Sequence, residues 1–136
     1  MSYLLDTNIC IALINGSSAK VRGRAAQATL RGVILATSSI VAHELWYGIA
    51  KSGRPVQNAN RLTAFLSRAV TVLDYSTKDA QAAGEIRAQL ERQGKRIGEY
   101  DTLISGQAFA RNLILVTANT REFQRVTGLV VEDWLV

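Results

Sequence analysis

The sequence predicts an α/β fold in which helices cover both faces of a central parallel sheet, and three observations carry that prediction. Short apolar runs recur along the chain with segments of helical length between them, the alternation of parallel sheets whose strands are joined by crossover helices. The first run, Ser2-Tyr-Leu-Leu5, stops abruptly on Asp6, so a buried strand delivers a carboxylate at its C-terminal end, where open parallel sheets bind ligands. With 136 residues, 48% of them hydrophobic and 20% charged, the chain has the size and composition of one domain with a real core.

Taken in order, Ser2–Leu5 reads as a strand and Thr7–Ile14 as a helix closed by Asn15-Gly16. Ser17 or Ser18 can cap a second helix through about Arg31, with Gly32 as its stop signal. Val33–Ala36 is a second short strand, and Thr37-Ser38-Ser39 then offers caps for a helix to about Lys51, ended by Ser52-Gly53. Pro55 opens a helix to about Arg68, Val70–Leu73 is strand-like, and Ser76–Gln93 is a helix terminated by Gly94. A helix over about Tyr100–Arg111, a strand at Leu113–Val116, a short helix at Thr120–Gln124 and a strand at Leu129–Val131 complete the order. No repeat, low-complexity tract or linker interrupts it, which predicts a single domain over 1–136.

No run of about 18 apolar residues is present, and no basic segment leads into a long apolar run at the N-terminus. Cys10 is the only cysteine and lies in an apolar run, which reads as a small core residue in a reducing compartment. A soluble, cytoplasmic protein is the expectation. The net charge of +5 suits an anionic partner such as nucleic acid. The basic residues fall in polar segments, among them Lys20, Arg22, Arg24, Lys51, Arg54, Arg92, Lys95 and Arg96.

Three acids stand apart because apolar residues surround them: Asp6, Glu44 in Ile40-Val-Ala-His-Glu-Leu-Trp-Tyr-Gly48, and Asp101 in Ile97-Gly-Glu-Tyr-Asp-Thr-Leu-Ile104. Each has an ordinary explanation. Asp6 reads as a helix cap that Thr7 and Asn8 can hold by hydrogen bonds, Glu44 as a helix-edge glutamate, and Asp101 as an acid favoured in the first turn of a helix. Gathered on one edge of a parallel sheet they mean more, since carboxylates within about 4–6 Å of one another call for a cation. Oxygen donors without a histidine or cysteine cluster suit Mg²⁺ or Mn²⁺ rather than Zn²⁺. His43, the only histidine, reads as structural or peripheral.

In these residues the chain resembles the PIN-domain ribonucleases, and among them the VapC toxins of bacterial type II toxin–antitoxin pairs. The resemblance covers nearly the whole chain. It rests on Leu5-Asp-Thr-Asn8, Ser39-Ile-Val-Ala-His-Glu-Leu-Trp-Tyr-Gly48, Ile97-Gly-Glu-Tyr-Asp-Thr-Leu-Ile104, Leu115-Val-Thr-Ala-Asn-Thr-Arg-Glu-Phe123 and the closing Gly128-Leu-Val-Val-Glu-Asp-Trp134. It implies an α/β/α sandwich and Mg²⁺- or Mn²⁺-dependent endonucleolytic cleavage of structured RNA, tRNA foremost, with metal-activated water as the attacking group. By motif position Asp6, Glu44 and Asp101 correspond to the acidic residues that hold the metal, Glu44 directly or through water. The fourth acidic position falls on Asn119, an amide that adds no charge and leaves one or two ions open. Thr117 is a candidate to position a carboxylate through its hydroxyl, Glu99 and Glu122 are accessory acids, and Arg121 and Arg125 are candidate phosphate contacts. The resemblance further implies a homodimer silenced by an antitoxin whose flexible tail covers the site, with Leu45, Trp46 and Tyr47 as a landing surface.

Two other readings stay open at this point. In one, Asp6 is a nucleophile taking up phosphate as in haloacid-dehalogenase-like enzymes, although those usually carry a second acid where this chain has Asn8. In the other, the positive charge alone makes the chain a nucleic-acid-binding module whose affinity needs no divalent cation.

Overall fold

The computed structural model describes residues 2–136 and leaves Met1 outside. Its elements follow the expected order: β1 (Tyr3–Leu5), α1 (Thr7–Asn15), α2 (Ala19–Leu30), β2 (Leu35–Ser38), α3 (Ser39–Ala50), α4 (Pro55–Arg68), β3 (Thr71–Leu73), α5 (Thr77–Arg92), α6 (Glu99–Ala110), β4 (Ile114–Val116), α7 (Thr120–Phe123) and β5 (Val131–Glu132). The five strands form one sheet in the order β3-β2-β1-β4-β5, and every pairing is parallel. No helix among the described residues is long and apolar enough to cross a membrane.

Local chemistry explains where the elements begin and end. The Asp6 side chain accepts the Thr7 N–H to start α1, and Gly16 ends that helix in the left-handed conformation at φ +63°. Of the two serines that could cap α2, Ser18 does so, accepting from the Val21 N–H. Pro55 fills the first turn of α4, where its missing N–H costs nothing. Ser76 and Asp79 form a reciprocal capping box at the head of α5.

Two strands sit later in the chain than expected. β2 spans Leu35–Ser38 rather than Val33–Ala36, because the chain is still turning at Gly32 and Val33. Thr37 and Ser38 read as cap residues in the sequence, yet both are buried strand residues. The Thr37 hydroxyl donates to the Leu5 carbonyl at 2.8 Å, which removes the cost of its burial, and Ser38 doubles as the cap of α3. β5 is Val131–Glu132 rather than Leu129–Val131. Glu132 lies in the strand with its carboxylate held by Arg24 at 2.9 Å and the Trp134 indole N–H at 3.0 Å.

The strand order positions the site. From β1 the chain moves outward through β2 to β3, then returns past β1 to β4 and β5. Right-handed crossovers therefore lay α1–α4 on one face and α5–α7 on the other, and the reversal opens a crevice beyond the C-terminal ends of β1 and β4. Leu4, Leu5, Leu115 and Val116 fill the middle of the sheet with no exposed surface, so these two strands are fixed by the core. Leu5 pairs with Val116, and the next residues, Asp6 and Thr117, emerge side by side at the crevice. α6 is held to α5 by backbone contact. A Cβ on Gly106 would lie 2.6 Å from both the Cβ and the N of Ala83, so only glycine fits.

Candidate active site

Asp6 anchors the site. It is 5% exposed, and each carboxylate oxygen has one donor: the Thr7 N–H at 2.8 Å on Oδ1 and the Thr117 hydroxyl at 2.7 Å on Oδ2. The Asn119 N–H donates to the Thr117 oxygen at 3.0 Å, so the threonine proton is directed at Asp6. Burial nonetheless outweighs these donors and raises the Asp6 carboxyl above its usual range.

Asp101 comes from the first turn of α6, which precedes β4 and so starts at the crevice. The Asn119 amide donates from Nδ2 to Asp101 Oδ2 at 3.2 Å and to Glu122 Oε2 at 3.1 Å, drawing two carboxylates together. Burial first, then the adjoining Glu122 carboxylate and the charges of Asp6 and Glu44, push Asp101 up to about 7. Glu122 moves the other way. Its contact with Asp101 comes first; burial opposes the shift, while the Asn119 amide and the Arg125 charge add to it.

Glu44 lies in the second turn of α3, half-buried, and is raised by burial and by the charge of Asp6. Thr7 and the exposed His43 act in the opposite direction. The Thr7 hydroxyl faces Glu44 but is buried without a hydrogen-bond partner. His43 stacks at a tilt against Tyr100, 5.7 Å between ring centroids, bridging α3 and α6 at the rim.

The fold thus brings Asp6, Glu44, Asp101, Asn119 and Glu122 to one place, with Thr7 and Thr117 as their supports. Asn8 differs from expectation: its side chain accepts the Ala118 N–H at 3.0 Å rather than holding Asp6, and so steadies the loop after β4. Glu99 is exposed at the head of α6, on a groove it shares with Arg87 and Arg96. Cys10 is buried, and burial above all lifts its thiol to about 12, leaving it inert. Of the apolar run on α3, Leu45 is core, while Trp46 and Tyr47 are exposed.

Sequence reasoning missed a second buried acid. Asp79 takes the Arg111 guanidinium through Nε to Oδ1 at 3.1 Å and Nη2 to Oδ2 at 2.8 Å, and also accepts from Gln107 and the Ser76 N–H. The Ser76-Thr-Lys-Asp79 spacing signals the capping box, but no local pattern signals the arginine 32 residues on.

The donor set fits a hard divalent cation. No lysine or arginine forms an ion pair with Asp6, Glu44 or Asp101 among the described residues, and the Thr7 hydroxyl is an orphaned oxygen beside them. Among the described residues no three His, Cys, Asp or Glu side chains stand close enough together to hold an ion as they are placed, so the fit rests on the chemistry of the donors. Loosely gathered oxygen donors of this kind suit Mg²⁺, which keeps several of its waters.

Comparison with known proteins places these residues in context. The PIN domain family matches residues 3–129. The tRNA(fMet)-specific endonuclease VapC of Shigella flexneri is 46% identical over 134 residues, 98% of either chain, and Ribonuclease VapC2 of Rickettsia felis is 41% identical over the same share. Among solved structures, VapBC2 from Rickettsia felis bound to a promoter DNA fragment superposes with a TM-score of 0.92 at 40% identity, covering 98% of this chain and 99% of that one. DNA-bound VapBC from Salmonella typhimurium gives 0.90 at 42% identity, covering 98% of each.

Proposed function

Because this chain belongs to the PIN domain family and, within it, to the VapC ribonucleases, we propose that it is a Mg²⁺- or Mn²⁺-dependent endoribonuclease toxin acting on structured RNA of the tRNA class. The observation that carries the proposal is the set of uncompensated carboxylates, Asp6, Glu44 and Asp101, at the switch point of the sheet. Folding leaves these charges costly on their own, and a divalent cation is the partner that turns the cost into binding.

In this reading Asp6 and Asp101 hold the cation, and Glu44 completes its shell directly or through water. The cation supplies Lewis acidity, drawing charge from the scissile phosphate and acidifying water. Thr117 and the Thr7 N–H fix the Asp6 carboxylate before substrate arrives. Asn119 keeps Asp101 and Glu122 in register, and we assign to Glu122, whose carboxyl is held below its usual range, the role of taking a proton from the attacking water. Unpaired RNA loops suit the crevice, since their backbone can enter where a duplex cannot. The rival with Asp6 as nucleophile is disfavoured because the second acid such enzymes usually carry is replaced by Asn8, whose side chain is taken up by the Ala118 N–H.

The relatives named VapBC are toxin–antitoxin complexes, and an antitoxin is proposed here too. Its segment fits the apolar groove of about 230 Å³ between α1, α3 and α4, lined by Ile11, Ile14, Leu45 and Ile49 and ending at Thr7 and Glu44. A homodimer is proposed with the exposed aromatics Trp46, Tyr47 and Tyr100 as its candidate face, and the cytoplasm as the place of action.

The test is cleavage of total bacterial RNA, mapped by end sequencing, in Mg²⁺, Mn²⁺ or EDTA beside Asp6→Asn. Discrete cuts that need metal and vanish in the variant are expected. Folded, antitoxin-free protein that cuts nothing under either metal, or cuts equally well as Asp6→Asn, overturns the proposal.

A further inference from the structure

α7 separates two environments. Glu122 turns towards Asn119 and Asp101, whereas Arg121 in α7 and Arg125, in the turn just after the helix, line a concavity of their own. Across from them the chain leaves α5 through Gly94 at φ +66°, which swings Lys95 to the same side. The Arg125 guanidinium donates to the Arg96 carbonyl at 2.8 Å and clips the two segments together. Between them lies a shallow, open notch of about 440 Å³ lined by Gly94, Lys95, Arg121, Gln124 and Arg125.

Among the described residues no carboxylate forms an ion pair with the cations of this notch, although the Arg125 charge acts on nearby Glu122. Arg24, Arg87, Arg96 and Arg111 are each paired with a carboxylate, but none of the ion pairs among the described residues includes Lys95, Arg121 or Arg125. Among the described residues the side chains of Lys95 and Arg121 also make no hydrogen bond, so both are free to reach a ligand. Two other concavities, beside Ala83 and beside Ile11, are lined mainly by apolar atoms; this one is polar and cationic, and carries no carboxylate. It therefore suits a flexible polyanion rather than an apolar segment, and it opens one helical turn from the acids.

We propose that the notch formed by Lys95, Arg121, Gln124 and Arg125 is a second phosphate-binding subsite, which grips the RNA backbone a short way along the strand from the bond being cut. The inference rests on the ribonuclease reading above and adds where the substrate strand runs: out of the carboxylate mouth, past Glu122 and over α7. These cations are positioning residues. They anchor the strand so that the scissile phosphate meets the acids, and they touch no reacting atom.

The test uses the full chain, free of antitoxin, with unfractionated bacterial tRNA as the probe. In the double variant Lys95→Gln/Arg121→Gln, KM for metal-dependent cleavage should rise roughly tenfold at 0.1 M salt with kcat within about twofold of wild type, as weaker ground-state binding of the backbone requires. The slope of log affinity against log salt, measured in EDTA on the Asp6→Asn background, should fall by roughly 0.7 for each single-strand phosphate that the variant no longer neutralises. Arg121→Lys should restore most of the affinity. Unchanged KM and salt slope, or a fall confined to kcat, overturns the subsite while wild-type cleavage stands. Absence of metal-dependent cleavage by the wild type overturns instead the ribonuclease reading on which it depends.

Discussion

Asp79 and Asp101 sit on neighbouring helices, α5 and α6, and folding treats them in opposite ways. Asp79 is 1% exposed, yet its carboxyl is held below the usual range. Burial pushes it up, but the Arg111 guanidinium and the donors of Ser76 more than offset that push. Asp101 is less buried, receives one amide donor from Asn119, faces Asp6, Glu44 and Glu122, and is raised to about 7. The difference separates two uses of a buried acid. One charge is compensated within the chain and tightens the fold; the other has no ion pair among the described residues, as the proposed metal role requires.

Exchanging each acid for its amide tests that distinction most directly. Asp101→Asn should lower metal-dependent RNA cleavage by about 10²–10³-fold, the order seen when a charge-stabilising group is lost from an active site. Its thermal midpoint in metal-free buffer should be unchanged or raised. Asp79→Asn should do the reverse, destabilising the fold by about 3 kcal/mol because Arg111 loses its partner, while each folded molecule keeps its activity. Urea unfolding and initial cleavage rates on both variants decide it, and equal loss of stability in the two would erase the contrast.

The same comparison has a pH signature. A carboxyl raised in the folded state binds its proton there more tightly than in the unfolded chain, so the metal-free protein should lose stability as pH climbs from about 4, the unfolded value, towards the folded value of about 7. Asp79 contributes oppositely: its stabilisation is complete above the unfolded value and is lost as pH falls through the lowered one. Thermal melts from about pH 2 to 8 should therefore separate the two slopes, the Asp79 slope lying below about pH 4 and the Asp101 slope above it, and Mg²⁺ should raise the midpoint more at pH 8 than at pH 5. A Mg²⁺ effect independent of pH would argue against the carboxylate mouth as its site.

The smallest expected effect concerns Thr117, whose hydroxyl holds Asp6. Thr117→Val keeps the shape and removes the bond. It should cost about 1 kcal/mol of stability and slow cleavage about tenfold, mostly through kcat. A variant as active as wild type would mean that burial alone fixes Asp6.

Much of this is legible in the chain itself, for identifiable reasons. Asp6 stands out because a strand of apolar residues ends on it, and that contrast is local. The order of elements is legible because Gly16, Gly32, Ser52-Gly53, Pro55 and Gly94 punctuate it. What stays hidden depends on pairings between distant residues. Thr37 reads as a cap until the Leu5 carbonyl is found beside it, and Arg111 reads as a surface cation until Asp79 lies against it. Glu99 and Glu122 are equal candidates by position. Only the Asn119 amide, bonding Glu122 and Asp101 at once, tells them apart.

The glycine at position 106 adds a consequence of a different kind. Because α5 and α6 meet there through main-chain atoms, no rotamer can absorb a change in their spacing. Asp79, which tightens the fold, and Asp101, proposed to serve the site, are thus mounted on one stiff frame. Substitution has room at Lys95 and Arg96 and on the solvent side of α7, where residues are exposed, and almost none between these two helices. The frame tolerates little change in side-chain size, whereas the rim tolerates much more.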